Sequence, residues 1–295
     1  MVLLIHHAAN CGHRFPPSSL SGLKACLEAR ARVIEVDIVA LADGDFALAH
    51  DERLEDFSDG AGPVADARSW QLREIHHRWP GSERESVALL GDVVALLAAH
   101  PEVEELQLDL KPYAPLSNAI LEALVSAIAP VKSQVRITSP ADWALRRLRA
   151  LDGEVRLGFD PLLYLDLERF SVSEAEPPYR IGAYGYQDDH PLAARRSGAV
   201  SAYLAARAEA LRSQVPEGTS VWYIRAAMLA RALDDGFDWI AYLHSDGVKV
   251  AAWTLEPGQP HHVALCEQLM AAGVDRITTN DPPRLGRVLG KAAAW

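Results

Sequence analysis

Residues 34–51 read Ile34-Glu35-Val36-Asp37-Ile38-Val39-Ala40-Leu41-Ala42-Asp43-Gly44-Asp45-Phe46-Ala47-Leu48-Ala49-His50-Asp51. Glu35 and Asp37 stand two apart in an apolar, strand-like run, so both side chains point to one face. Asp43-Gly44 is a strong hairpin-turn signal between two such runs. Folding back about that dipeptide sets Asp37 opposite His50 and Glu35 opposite Glu52. The gap from Ile38 to Asp45 is too short for the helical crossover that parallel neighbours need. A carboxylate pair beside a histidine is the chemistry of a hard-metal site with a proton-transfer group attached.

Outward from this hairpin, short apolar runs alternate with longer amphipathic segments. Strands are expected at Leu3–His7, Val33–Ile38, Asp45–His50, Glu105–Leu110, Gln134–Thr138, Glu154–Phe159, Tyr179–Tyr184, Ser220–Ile224, Val248–Thr254 and Arg276–Thr279. Helices are expected at Ser19–Ala29, Leu89–Ala99, Leu116–Ile128, Pro140–Ala150, Pro191–Ser213, Met228–Asp235, His261–Ala272 and Pro283–Ala292, with Ser19, Ser139 and Asp281 as caps. Such alternation argues for an α/β fold with parallel strands, and the length fits a (β/α)8 TIM barrel. A doubly wound sheet is the alternative, but no GxGxxG or phosphate-binding loop follows any strand. Residues 52–86 are polar and rich in Gly and Pro, and read as a small insertion over one end of the barrel. No linker divides the chain, so one catalytic domain over residues 1–295 is expected.

The composition narrows the partners. Nearly half of the 295 residues are apolar (49%), ample for a core, yet no run of about 18 apolar residues reads as a membrane span. A net charge of −11 argues against nucleic acid as partner but leaves room for a phosphorylated small molecule held by a local cation. Met1-Val2-Leu3-Leu4-Ile5 has no basic leader and reads as a first strand. Cys11, Cys26 and Cys266 form no CxxC pair, which supports neither a disulfide framework nor a zinc ribbon. Cys26 and Cys266 read as core packing, Cys11 lies in a loop near the histidines, and the expected compartment is cytoplasmic.

Functional groups of a barrel stand where its strands end. His7 ends the first strand, Glu35 and Asp37 lie late in the second, and Asp109 and Lys111 share a face at the end of the fourth. Ser139, Trp253, Asn280 and Asp281 also follow strands. Each residue alone has a plainer reading: Asp109 or Asp281 as a helix cap, His6 packed on the face opposite His7, and His76-His77 and His261-His262 as structural or solvated. Three acids, two histidines and a lysine converging on one end outweigh those readings.

These residues resemble the glycerophosphodiester phosphodiesterases along nearly the whole chain. Ile5-His6-His7-Ala8-Ala9 takes the place of that family's His-Arg-Gly strand end, and Pro16-Pro17-Ser18-Ser19 that of Pro-Glu-Asn-Thr. Ile34-Glu35-Val36-Asp37-Ile38, Asp43-Gly44, His50-Asp51, Asp109-Leu110-Lys111, Trp253-Thr254, Gly273-Val274-Asp275 and Thr279-Asn280-Asp281-Pro282 follow in the family's order. The resemblance implies a metal-dependent phosphodiesterase that hydrolyses glycerophosphodiesters to an alcohol and glycerol phosphate. One Mg2+ or Ca2+ would be held by Glu35, Asp37 and Asp109, with His7 and His50 dividing the proton transfers. Lys111 would add positive charge at the phosphate, and Trp253 would wall the alcohol.

Three departures qualify it. Ala8 stands where the family has its phosphate-contacting arginine, Ser18 where it has asparagine, and Asp109 where it has glutamate. Arg14 is the nearby candidate to supply the missing guanidinium. His7-Ala8-Ala9-Asn10 is also similar to the sphingomyelinase D strand end, so a lysophospholipid headgroup phosphodiesterase is an alternative. A non-catalytic phosphodiester-binding barrel is a second.

Overall fold

In the computed structural model the described residues are 1–80, 84–111, 113–167, 181–290 and 293–294. Eight parallel strands close into a barrel: β1 (Val2–His6), β2 (Val33–Ala40), β4 (Glu105–Lys111), β5 (Val135–Ser139), β6 (Arg156–Phe159), β7 (Val221–Arg225), β8 (Lys249–Trp253) and β9 (Arg276–Thr279). Pairing of β1 with both β9 and β2 completes the ring. The short β3 (Phe46–Leu48) runs antiparallel to β2, and β10 (Ala293–Ala294) pairs with the start of β1. Helices α1 (Leu20–Glu28), α2 (Ser69–Leu72), α3 (Leu90–Ala98), α4 (Asn118–Ile128) and α5 (Asp142–Leu151) serve the first half. The second half carries α6 (Val200–Gln214), α7 (Ala226–Asp234), α8 (Trp239–Ser245), α9 (Pro260–Ala271) and α10 (Pro282–Leu289).

The period of two along each strand divides the barrel into an apolar outside and a functional inside. Leu4, Ile34, Val36, Ile38, Leu106, Leu108, Ile137, Leu157, Trp222, Ile224, Val250 and Ile277 belong to the main core with the surrounding helices. Ile5, Val33, Val221, Tyr223 and Ala251 form a separate small cluster on the inner face. Gly158 is required there, because a Cβ would fall 2.6 Å from the Tyr223 ring and 2.8 Å from Thr138 Cγ2. At the N-terminal end, the buried Glu105 carboxylate pairs with Arg136 (2.9 Å), with Arg276 (2.5 Å) and with Arg156. One carboxylate is therefore shared by three guanidiniums at this end, while the C-terminal end holds the acids of the site.

The β2–β3 hairpin forms, but one residue away from the expected register. Ile38 pairs with Leu48, Val39 with Ala47 and Ala40 with Phe46. The turn is a three-residue loop, Ala42-Asp43-Gly44, closed by the Leu41 N–H to Asp45 carbonyl bond (2.8 Å), with Gly44 left-handed at φ +87. A two-residue turn was the assumption behind Asp37 facing His50; instead the Ala49 N–H bonds the Asp37 carbonyl at 3.2 Å. Glu35 has no antiparallel partner, because the pairing stops at Ile38–Leu48. His50 reaches the site from the bend after β3.

Other differences are local. His7 begins a short helical turn, His7–Ala9, rather than closing β1. The expected 191–213 helix splits into a turn at Pro191–Ala193 and α6, which starts only beyond Ser197-Gly198. Helix α8, unanticipated, is a seven-residue helix with five apolar residues at its start, capped by Asp238, whose carboxylate accepts from the Ile240 and Ala241 N–H groups. In the expected strand at 179–184, residues 179 and 180 lie outside the described residues. Residues 181–184 form no strand, and Ile181 makes only an isolated bridge to Gln187. Helix α10 ends before Gly290 (φ +66), and residues 291 and 292 of its expected end lie outside the described residues.

Ser19 and Asp281 cap α1 and α10 as expected, accepting from the Gly22 and Arg284 N–H groups. Ser139 instead ends β5 and its hydroxyl accepts from the Ala141 N–H. Over the hairpin, Leu54, Val64, Ala67 and Leu72 of the 52–86 insertion bury a satellite core against Val39, Leu41, Ala47 and Leu89.

Candidate active site

The inward alternation of each strand delivers one or two polar groups to the C-terminal mouth. A cleft of about 370 Å³ there is lined by His7, Glu35, Asp37, His50, Asp109, Lys111 and Trp253, together with Gln107, Tyr113, Thr138, Asp160, Leu162, Tyr223, Arg225, Thr254 and Thr278. Every site residue expected from the sequence except Arg14 lies on it. Arg14 is exposed, with its guanidinium over Phe15 at 5.6 Å from the ring centroid. A larger hollow of about 750 Å³ opens at the opposite end of the barrel and has no histidine among the described residues of its lining.

Carboxylate oxygens of Glu35, Asp37 and Asp109 lie within 4.8 Å of one another. Parallel pairing of β2 with β4 sets Asp37 beside Asp109, and β2 adds Glu35 one inward position earlier. Each is oriented by a separate donor. The Ala8 N–H donates to Glu35 Oε2 at 2.6 Å, the Ser18 hydroxyl to Asp37 Oδ2 at 3.2 Å, and the Thr138 hydroxyl to Asp109 Oδ1 at 2.9 Å. Lys111 Nζ lies 2.6 Å from Asp37 Oδ1 and 3.7 Å from Asp109 Oδ2.

Three acids around one ammonium leave an excess of negative charge in a dry place. Burial, then the neighbouring carboxylates, push the Glu35 carboxyl well above its ordinary range. Burial likewise raises Asp109. Burial also works against ionised Asp37, but Lys111 and the two histidines outweigh it and hold that carboxyl down. A divalent cation would relieve this imbalance, and an all-oxygen donor set suits Mg2+ or Ca2+. The residues fit the group.

The histidines are held in complementary ways. His7 Nδ1 donates to Asn280 Oδ1 at 3.0 Å, which leaves Nε2, 4.0 Å from Glu35 Oε2, as the free nitrogen of the neutral ring. Asn280 is fixed by donating to Glu256 Oε1 at 2.7 Å, and Asn10 donates to the same Asn280 oxygen. His50 Nδ1 bonds Asp51 Oδ1 at 2.9 Å. The two ring centroids are 6.5 Å apart. Burial lowers the His7 pKa below the ordinary imidazole value, whereas the Asp51 hydrogen bond raises that of His50.

Sequence reasoning missed Arg225 as a site group, and it placed Asn280 at a strand end and Asn10 in the His7 motif without giving either a role. Arg225 continues the inward series Val221, Tyr223, Arg225, one residue beyond the expected end of that strand. Its Nε contacts both oxygens of Asp166 at 3.0 Å, and its guanidinium lies 4.4 Å from the Trp253 ring centroid. Asn10 and Asn280 are far apart in sequence and meet only because β1 and β9 are neighbours in the closed barrel.

Comparisons with known proteins agree with the barrel fold. The family model described as "Glycerophosphoryl diester phosphodiesterase family" matches residues 10–284. No curated protein sequence matches significantly. Among solved structures, a Silicibacter pomeroyi protein assigned as a glycerophosphoryl diester phosphodiesterase superposes with TM-score 0.70 at 18% identity, covering 98% of this chain and 93% of its own. An Oleispira antarctica phosphodiesterase in complex with the product sn-glycerol-3-phosphate gives 0.67 at 17%, covering 98% and 96%. A glycerophosphodiester phosphodiesterase from Agrobacterium tumefaciens gives 0.60 at 18%, covering 97% and 99%. With the family model spanning nearly the whole chain, this protein belongs to the glycerophosphoryl diester phosphodiesterase family, a family of phosphoric diester hydrolases.

Proposed function

We propose that the cleft hydrolyses a glycerophosphodiester to an alcohol and glycerol phosphate, with one divalent cation bound by Glu35, Asp37 and Asp109. The observation that carries this reading is the convergence of those three carboxylates with two histidines and Lys111 on one cleft. The Oleispira neighbour's glycerol phosphate complex supports the same substrate class, and a single family match over residues 10–284 supports one catalytic domain.

When bound, the cation supplies polarisation of a non-bridging phosphate oxygen and offsets charge developing at phosphorus. His7, neutral and with Nε2 free, takes the proton of the attacking oxygen, whether from water or a neighbouring substrate hydroxyl. His50, whose pKa the Asp51 hydrogen bond raises, protonates the leaving alkoxide. Environments that push two titrating groups apart are what such a division needs. Lys111 adds a point charge at the phosphate. Arg225 takes the part of the guanidinium lost at Ala8, since a planar fork suits phosphate oxygens and Asp166 holds it at the cleft wall. Trp253, backed by Arg225, forms the apolar side of the alcohol subsite.

Leu162 on the cleft rim favours a second reading, in which the alcohol is a lysophospholipid's lipid portion or headgroup. A panel of glycerophosphodiesters and lysophospholipids, assayed with Mg2+, Ca2+ and Mn2+ and read by phosphorus NMR, separates the two. Glycerol phosphate appearing from the water-soluble diesters is the expected result. Turnover of lysophospholipids alone would favour the second, and binding of every diester without turnover would overturn both.

A further inference from the structure

Behind the His7 turn lies a second reactive cluster that the phosphodiester site does not use. Cys11 Sγ is 3.2 Å from Cys26 Sγ, and Cys26 Sγ is 3.5 Å from Nδ1 of His6. Cys26 and His6 are buried, Cys11 is half-buried, and His6 Nε2 has no partner among the described residues. The left-handed residues Ala8, Ala9 and Cys11 (φ 48, 49 and 50) fold the loop so that the two thiols meet across 15 positions of sequence. The Cys26 S–H bond to Cys11, together with nearby His6, holds the Cys11 thiol below the usual thiol range, and the same bond raises Cys26. The accessible sulfur is thus the nucleophile and the buried one its resolving partner.

We propose that Cys11 and Cys26 are a redox pair which a low-molecular-weight disulfide oxidises to an intramolecular disulfide, and that closing it draws the His7 loop out of its catalytic position. The Cys11 thiolate attacks one sulfur of RS–SR. The Cys11–SR bond forms as RS–SR breaks, and the first RS⁻ leaves with the proton Cys11 gave up. Cys26 then attacks Cys11 Sγ, its proton passing to His6 Nδ1. The Cys11–Cys26 bond forms as Cys11–SR breaks, and the second RS⁻ takes that proton from His6. Two electrons and two protons move from the pair to RS–SR, giving two RSH.

A disulfide is about 2.05 Å long, so the sulfurs must close by roughly 1 Å. Cys26 is fixed in α1 within the main core, so the loop yields. That loop carries His7 and Asn10, both bonded to the Asn280 side-chain oxygen. A misplacement of about 1 Å costs up to roughly 10²-fold in turnover.

The activity arm of the test rests on the phosphodiesterase reading; the mass arm does not. Full-length protein is incubated with oxidised glutathione, then alkylated and mapped by mass spectrometry. The expected product is a cross-linked Cys11–Cys26 peptide lighter by two hydrogens, with turnover lowered about tenfold or more and restored by dithiothreitol. Cys26→Ala should stop at a glutathione adduct on Cys11. Cys11→Ser, which puts a hydroxyl in place of the thiol, should keep its turnover under the same oxidant. Two thiols that still alkylate, or a wild-type protein that also stops at the adduct, would overturn the pair. A disulfide that forms without loss of turnover would overturn its coupling to His7.

Discussion

The two histidines differ less in position than in what each is bonded to. His7, partly buried, rests against a neutral amide, and His50 against a carboxylate. Replacing either by Ala should lower kcat by about 10²–10⁴-fold, the range for a lost acid or base, with near-normal turnover in either variant contradicting its role. The pH profile carries the sign. His50 must be protonated to act as acid, and Asp51 raises its pKa. Asp51→Asn should therefore move the alkaline limb of kcat toward lower pH, while an unmoved limb would detach His50 from the acid role. Arg225→Gln should raise KM about tenfold or more with a smaller change in kcat, if its fork grips the phosphate in ground and transition states alike. At this scale the acids, both histidines, Lys111 and Trp253 were legible, since each lies in a strand-end pattern. Arg14 misled because loop neighbours in sequence need not be neighbours on the cleft. Arg225 escaped because its strand was ended one residue early.

Among the elements, α1 packs closely on the His7 loop. A Cβ on Gly22 would fall 2.3 Å from the Ala9 carbonyl oxygen. Gly22→Ala should force the two apart, lowering stability by about 1–3 kcal/mol, as overpacking does, and lowering turnover of the folded fraction. Thermal melting alongside kcat checks this; a variant with full turnover per folded molecule would show that the loop position is not set by α1. The hairpin shows the limit of sequence reading for elements. Asp43-Gly44 identified the turn, yet the loop takes a third residue, because a left-handed Gly at its last position closes Leu41 onto Asp45. A one-residue difference in turn length changes which residues face each other while leaving the strands in place. Helix α8 was missed because its five-residue apolar run Trp239–Leu243 gives too little periodicity to separate helix from strand.

For the whole molecule, alternation of strand and helix made the barrel readable, because each inner and outer face repeats with a period of two. The opposite end of the barrel was not read, since four charged residues from four strands meet only on closure. There, burial pushes the Glu105 carboxyl up, but Arg136 and Arg276 outweigh it and hold it at about 2. An unfolded chain binds that proton at its higher ordinary value, so the contribution is full above that value and fades as pH falls toward about 2. At neutral pH it amounts to roughly 3 kcal/mol. Glu105→Gln should flatten this acid limb of the stability curve while leaving three arginines short of their partner; an unchanged acid limb would place the barrel's acid sensitivity elsewhere.

The central claim concerns the other end, where Glu35, Asp37 and Asp109 are read as the seat of a divalent cation. Its most direct test is diester hydrolysis by chelator-treated protein during titration with Mg2+ or Ca2+, in wild type and in Asp109→Asn. We expect no turnover after chelation, full recovery in wild type at saturating cation, and a strongly weakened response in the variant. Full turnover without added cation, or equal titrations for both proteins, would contradict it.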